Sequence, residues 1–335
     1  MPEARHPSRA AAVWTPVAIA IAVAAAHLVM LPSYGASWDE PLHHSWGEAF
    51  HAYWRTGDFN FLREMPGGGM YYGPLFFTAS WMLSEWASRT FGMPVYEAAH
   101  VANIAVFAAS AGALFALARA WLGARVAWIS VLLFVLFPLL VAHAQYNPKD
   151  IPLLALSIPA MYFGARAIEA PSWTRVAAAG LTFGVCFGAK VSAVVLLAIL
   201  GVVWVVLRAL HDGRIRPAAG ARGVLADLRF VPAFAGAAVL GALLAWPSLL
   251  RHPELLLGGI GMFLQPFWPG HVLYLGTQYA AADLPWHYIP MQFVLGVPLV
   301  TLACLLGGAA IAVRRARRGD APLAPVALLA WLVVP

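Results

Sequence analysis

Apolar residues along this chain gather into runs of roughly the 20-residue length that crosses a bilayer as a helix. The runs fall near residues 11–31, 97–118, 126–144, 151–168, 174–189, 191–208, 230–250 and 288–312. A last run begins near 322 and stops with the chain at Pro335. The pattern predicts an all-α polytopic membrane protein, a single transmembrane domain over 1–335. The first run reads as a retained span, because it is long and no small-residue cleavage site precedes polar sequence. The abrupt end reads as a fragment of a longer protein or as a short variant.

Charge fixes the orientation. Lys and Arg are retained on the cytoplasmic side during insertion. With the N-terminus inside, the inner segments carry 15 basic and 5 acidic residues, the outer ones 6 basic and 10 acidic. The asymmetry decides residues 74–91, which are apolar enough to suggest a span. Counting them as one would reverse every later loop and put "RRARR" (314–318) outside, and Glu85 and Arg89 would sit in hydrocarbon. They are expected as a helix at the outer interface or against the bundle. Two outer loops, about 32–96 and 251–287, are large enough to build a site, with a shorter one at 142–152. The longest inner loop, 209–229, suits a surface helix on anionic lipid.

Composition adds three points. Hydrophobic residues make up 61% of the chain, which excludes a nucleic-acid binder or a disordered chain, and the net charge of +6 follows from topology. Cys186 and Cys304 fall in separate spans, so no disulfide framework is expected. The 19 Arg against 2 Lys point to a GC-rich genome, hence a bacterium and its cytoplasmic (inner) membrane.

The first outer loop opens with "SWDEPLHHSWGE" (37–48). Residues 40–55 read as an amphipathic helix, with Pro41 in the first turn and Asp39 placed to cap it. Leu42, Trp46, Phe50 and Tyr53 repeat at helical spacing, while Glu40, His44, Glu48, His51 and Arg55 share the opposite face. "PGGG" (66–69) then breaks the chain before Tyr71 and Tyr72. Asp39–Glu40 reads either as a cap with an interfacial acid or as a carboxylate poised as a general base near apolar surface. "YNPKD" (146–150) presents Lys149 beside Asp150 in a proline-stiffened turn. Lys149 and Lys190 are the chain's only lysines, and both map to the outer boundary. They read either as snorkelling residues or as a site for a lipid-linked phosphate. Lys190 marks a tight outer turn between two spans, or a charge within one kinked span.

"FWPGHVLYLGTQY" (267–279) and "LPWHYIP" (284–290) gather aromatics with Asp283 and His287. They fit an interfacial belt, or a carbohydrate site in which sugar rings stack on aromatic faces. Asp39, Glu40, His43, His44 and His51 offer ligand types, with Asp39, Glu40 and His44 the set for a divalent cation, Mg²⁺ or Mn²⁺, bridging to a phosphate, although no closed zinc signature is present and no cofactor is required. His27, His100, Asn103 and His143 are expected as interhelical hydrogen-bond partners.

"WDE" after the first span, "YNPKDIP" after the third, the lysine of "GAK" (188–190) and "LPWHYIP" together resemble the GT-C-fold glycosyltransferases that use polyprenyl-phosphate sugars. The likeness is to bacterial relatives of protein O-mannosyltransferases and of the lipid A aminoarabinose transferase. It implies a GT-C-like bundle of transmembrane helices with outer-face interfacial helices. It also implies an inverting transfer on the extracytoplasmic side, with Asp39 as base and Glu40 and Asp150 as accompanying catalytic carboxylates. Lys149, Lys190 and Arg63 are expected to hold the donor phosphate, and His44, Tyr71, Tyr72, Trp286, His287 and Tyr288 to contact substrate. The expected partners are the polyprenyl-phosphate sugar, membrane lipid and an acceptor that is protein, lipid or glycan. Family members usually continue into further spans, where this chain stops. Two rival readings are a lipid-linked-sugar transporter (flippase), which predicts deep charges and paired broken helices, and a non-catalytic assembly subunit.

Overall fold

The computed structural model describes residues 9–209, 228–264 and 270–317. The expected ninth run and nearly all of the inner loop 209–229 lie outside the described residues. The chain is a bundle of helices whose interruptions fall at Pro, Gly and polar turns. In order these are α1 (Arg9–Met30), α2 (Glu40–Thr56), α3 (Asn60–Arg63), α4 (Pro74–Phe91), α5 (Val95–Leu122), α6 (Ala124–Val135), α7 (Pro138–Tyr146), α8 (Asp150–Glu169), α9 (Trp173–Ala189), α10 (Val195–Ala209), α11 (Val231–Ala245) and α12 (Glu254–Leu264). A short antiparallel hairpin follows, β1 (His271–Tyr274) and β2 (Thr277–Ala280), and then α13 (Tyr288–Gly296) and α14 (Leu299–Arg317). The all-α multi-pass expectation holds.

Several expected spans are not straight rods. By length and composition, α1, α5 and α8 can each cross a membrane alone, and the described residues reach five crossings if each bent pair counts as one. The run at 126–144 is α6 and α7, bent by 65° where Pro138 opens the second piece. The run at 288–312 is α13 and α14, bent by 110° around Val297–Pro298. Proline removes a helical hydrogen bond and disfavours helix at the residue before it, which an apolar pattern does not register. The run at 191–208 begins as a 3₁₀ turn at Val191–Val194. The hairpin was not foreseen. Its turn is Leu275–Gly276, both at positive φ (50° and 83°), the conformation of a two-residue primed turn.

Small residues let three helices approach closely. Gly180, Gly184 and Gly188 on α9 face Phe234, Ala238 and Ala242 on α11 in the same order, so the two helices run parallel. A Cβ on Gly184 would collide with the Ala238 carbonyl, and one on Gly241 with the backbone of α9. In lipid, where the hydrophobic effect does not draw helices together, this spacing is the means of association. On its other side α9 packs on α8, and α10 doubles back with Leu200 against Gly164 of α8. The turn reading of Lys190 is therefore the one observed.

The first outer loop covers the end of this bundle. Trp46, Phe50 and Tyr53 of α2 are buried with Leu62, Tyr72, Phe77, Val191, Trp246 and Leu255. Gly73 donates its N–H to the Ala189 carbonyl at 3.1 Å, and a Cβ there would run into Gly188. The loop is thus docked directly on the end of α9. As expected, α4 is a helix, and it packs on α2 and α5.

Replacing Gly184 by Leu should force α9 and α11 apart and cost roughly 1–3 kcal/mol. The Gly236→Leu control on α11, where a side chain meets open space, should stay within about 0.5 kcal/mol. Thermal unfolding of the purified variants measures both.

Candidate active site

Asp39 and Glu40 adjoin in sequence and part in space. Asp39 precedes α2, yet its side chain makes no capping hydrogen bond. The expected capping role is corrected: the Glu40 carboxylate instead folds back to accept the Ser37 N–H. The Asp39 backbone carbonyl accepts the His43 N–H at 3.0 Å, which closes the first turn of α2. The Asp39 carboxylate takes no part in the cap; it is 39% exposed and is met by the Lys149 ammonium at 3.8 Å.

Lys149 and Asp150 are placed by Asn147. The Asn147 Oδ1 accepts the N–H groups of Lys149 (3.1 Å) and Asp150 (2.9 Å), an Asx-type turn that starts α8. Its amide nitrogen reaches the Asp150 carboxylate at 3.0 Å. Across the bundle end, Lys190 sits in extended backbone (φ −154°, ψ 122°) between α9 and its following turn. Its ammonium bonds the Asp150 carboxylate at 2.5 Å and lies 5.8 Å from the centre of the Phe263 ring. Three segments that are far apart in sequence therefore meet in one alternating cluster, Asp39–Lys149 and Asp150–Lys190.

Two further side chains feel the same charges. His43 is buried against Trp46 and Phe77, and burial first, then the Lys149 charge, pulls its pKa down to about 4. It is a neutral imidazole at physiological pH. Among the described residues neither of its ring nitrogens has a hydrogen-bond partner. It lines, with Glu40, His44, Asn103 and Tyr146, a cavity of about 20 Å³, room for one water molecule. Tyr72 stacks on Trp46 with centroids 5.2 Å apart. Burial, with the carboxylates of Asp150 and Asp39, pushes its hydroxyl pKa up.

The other expected site residues are placed differently. Glu40 is not on an exposed polar face. It is buried, and its second oxygen meets His100 Nε2 at 2.5 Å, so it is unavailable to a substrate. His44 faces Glu85 at 3.6 Å and the rings of Trp81 and Tyr96. Arg63 is exposed on α3, with its guanidinium over the Phe59 ring, and it contributes no ion pair to the cluster. Tyr71 packs against Gly258 of α12. Trp286 is 87% exposed, while His287 and Tyr288 gather around Tyr274 of the hairpin. Among the described residues no three His, Cys, Asp or Glu side chains are gathered to hold a metal ion. The set Asp39, Glu40 and His44 is divided between Lys149, His100 and Glu85. His27, His100 and Asn103 bond between helices as expected, whereas among the described residues the His143 ring bonds the nearby Asn147. Asn147 was not singled out from the sequence, and His43 only as a candidate metal-ligand type. The readable signal for Asn147 was its place two residues before Lys149, and for His43 its place one turn after Asp39.

No curated protein and no solved structure matches the chain. Residues 77–216 match the family model described as dolichyl-phosphate-mannose-protein mannosyltransferase. The matched stretch takes in Lys149, Asp150 and Lys190, and the turn that carries Asp39 lies before it. The match indicates a membrane glycosyltransferase of mannosyltransferase type, in keeping with a GT-C-fold glycosyltransferase family.

Proposed function

We propose that this chain moves a sugar from a polyprenyl-phosphate-linked donor to an acceptor on the extracytoplasmic side of a bacterial inner membrane, with inversion at the anomeric carbon. The observation that carries the reading is the convergence of Asp39, Lys149, Asp150 and Lys190 at one end of the bundle. The outward orientation rests on the arginines of the opposite loops.

Asp39 acts as the base. It takes a proton from the acceptor hydroxyl or amine as that group attacks the anomeric carbon, and the bond from that carbon to the phosphate oxygen breaks. The electron pair leaves with the polyprenyl phosphate, whose charge grows in the transition state. Lys149 and Lys190 meet that growing charge, a stabilisation greater for the transition state than for the ground state. Asp150 holds Lys190 until the phosphate takes its place. Charge neutralisation by two ammonium groups does the work that a divalent cation does in other transferases, so no metal is assigned a step. Trp286, exposed beside His287 and Tyr288, offers an aromatic face to a sugar, and His44 with Trp81 offers a second. The acceptor is a protein, lipid or glycan hydroxyl or amine.

Asp39→Asn should lower transfer roughly a hundred- to ten-thousand-fold, the span typical of a lost general base, with expression and donor binding retained. Release of polyprenyl phosphate from a supplied donor is the measurement, and acceptor-dependent release also separates an enzyme from a flippase or an assembly subunit. An active Asp39→Asn protein removes Asp39 from the mechanism. Lys190→Ala should weaken donor binding about tenfold or more, the range of a charge-assisted hydrogen bond, and Lys190→Arg should recover part of it. Wild-type donor affinity in both variants would count against the phosphate role. Activity should persist in excess EDTA. Loss that Mg²⁺ or Mn²⁺ restores would bring a cation back into the site.

A further inference from the structure

The buried Glu40–His100 pair has no place among the steps above, yet it is built with care. Glu40 Oε1 meets His100 Nε2 at 2.5 Å, and its other oxygen accepts the Ser37 N–H. One side chain therefore ties down the residue two before Asp39 and the residue directly after it. His100 is fully buried in α5, one turn before Asn103, which itself donates to the Gln145 carbonyl at 2.8 Å. The turn that carries Asp39 is thus bolted to the most central helix of the bundle. Asp39 keeps a part-exposed carboxylate, met only by the Lys149 ammonium at 3.8 Å among the described residues.

We propose that Glu40 and His100 are positioning residues for Asp39, fixing the direction of its carboxylate and shielding it from the second carboxylate of the same turn. The proposal rests on the reading of Asp39 as the base. A buried, unpaired carboxylate next to Asp39 would repel its negative form and make its proton harder to lose. The contact with His100 Nε2 keeps the Glu40 carboxylate turned toward α5 and away from Asp39, which limits that repulsion. The other charged or titratable groups near Asp39 are His43 on α2, Tyr72 from the glycine turn, Lys149 and Asp150 before and at the start of α8, and Lys190 beyond α9. None of these side chains is itself replaced by changes at positions 40 and 100, although His43 shares a cavity with Glu40.

The test compares His100→Phe, His100→Gln and Glu40→Gln with wild type, following kcat and donor KM from pH 4 to 9. His100→Phe removes the histidine from Glu40 Oε1 and leaves the carboxylate held by the Ser37 N–H alone. The acidic limb of its kcat/KM profile should move up by about one pH unit or more. Its kcat at neutral pH should fall at least about tenfold, with donor KM within about threefold because both lysines remain. Glu40→Gln keeps a side chain that bonds Ser37 and removes the charge, so its limb should stay or move down. His100→Gln, which still donates to Glu40 but brings no charge, should move the limb upward by less than His100→Phe.

A merely structural bolt would lower activity in every variant while the acidic limbs of His100→Phe and His100→Gln stay at the wild-type position, and that outcome overturns the proposal. If His100→Phe does not fold, the Glu40→Gln and His100→Gln pair decides alone: limbs that coincide with wild type overturn it. Asp39→Asn, measured in parallel, keeps the two readings apart. An inactive Asp39→Asn with unshifted limbs elsewhere defeats the positioning role only, whereas an active one defeats the base assignment.

Discussion

A lysine ammonium close to a low-dielectric interior needs a partner, and this requirement organises the end of the bundle where the candidate site lies. Lys149 and Lys190 are mostly covered, and each is met by a carboxylate from a different turn. The pairing constrains three separate pieces of chain at once: the start of α2, the Asn147 turn before α8 and the exit of α9. Breaking a partly buried pair by removing one partner leaves an uncompensated charge, so the pieces are held in mutual register. The close packing of α9 on α11 serves the same end. Without Gly184 and Gly188 the two helices could not lie in backbone contact, and Lys190, Gly73 and Trp246 would not meet at one level.

Much of this was legible in the pattern of residues. Helix α2 was readable to within a residue because Trp46, Phe50 and Tyr53 recur with helical period and Gly57 ends it in the left-handed conformation. The lysines stood out by rarity, and their company with Asp39 and Asp150 is what the structure shows. What could not be read depends on contacts across sequence. Glu40 has the spacing of an exposed acid; only the neighbouring α5, sixty residues on, supplies the histidine that draws it inward. His43 belongs to the same class, since its neutrality follows from Trp46 and Phe77 around it and from Lys149 beyond. The bends at Pro138 and Pro298 illustrate another limit: hydropathy reports that a run is apolar, not that it continues as one rod.

The division of labour within the Asp39–Glu40 pair follows from this. Two adjacent carboxylates on one turn cannot both face a substrate without repelling each other. The helix geometry separates them by about 100° in direction, and the protein uses the separation. Glu40 turns toward α5 and is held there by His100, while Asp39 turns toward the Asn147 loop and stays accessible.

The exposures of the four charged groups give the cluster a direction. In both pairs the carboxylate is the wetter partner: Asp39 is 39% exposed against 23% for Lys149, and Asp150 is 53% exposed against 16% for Lys190. The lysine side chains, stems included, are thus the more covered partners, and the carboxylates are the more open to water. The cluster is neutral at rest, because two lysines offset two carboxylates and His43 adds no charge near neutral pH. A donor phosphate brings negative charge into a balanced site and must compete with Asp39 and Asp150 for their lysines. Success in that competition loosens both carboxylates. Release of Asp39 from Lys149 by the arriving phosphate would free the base at the moment when a sugar is in place to be attacked, and this coupling needs no moving domain, only the exchange of one anion for another around two fixed cations.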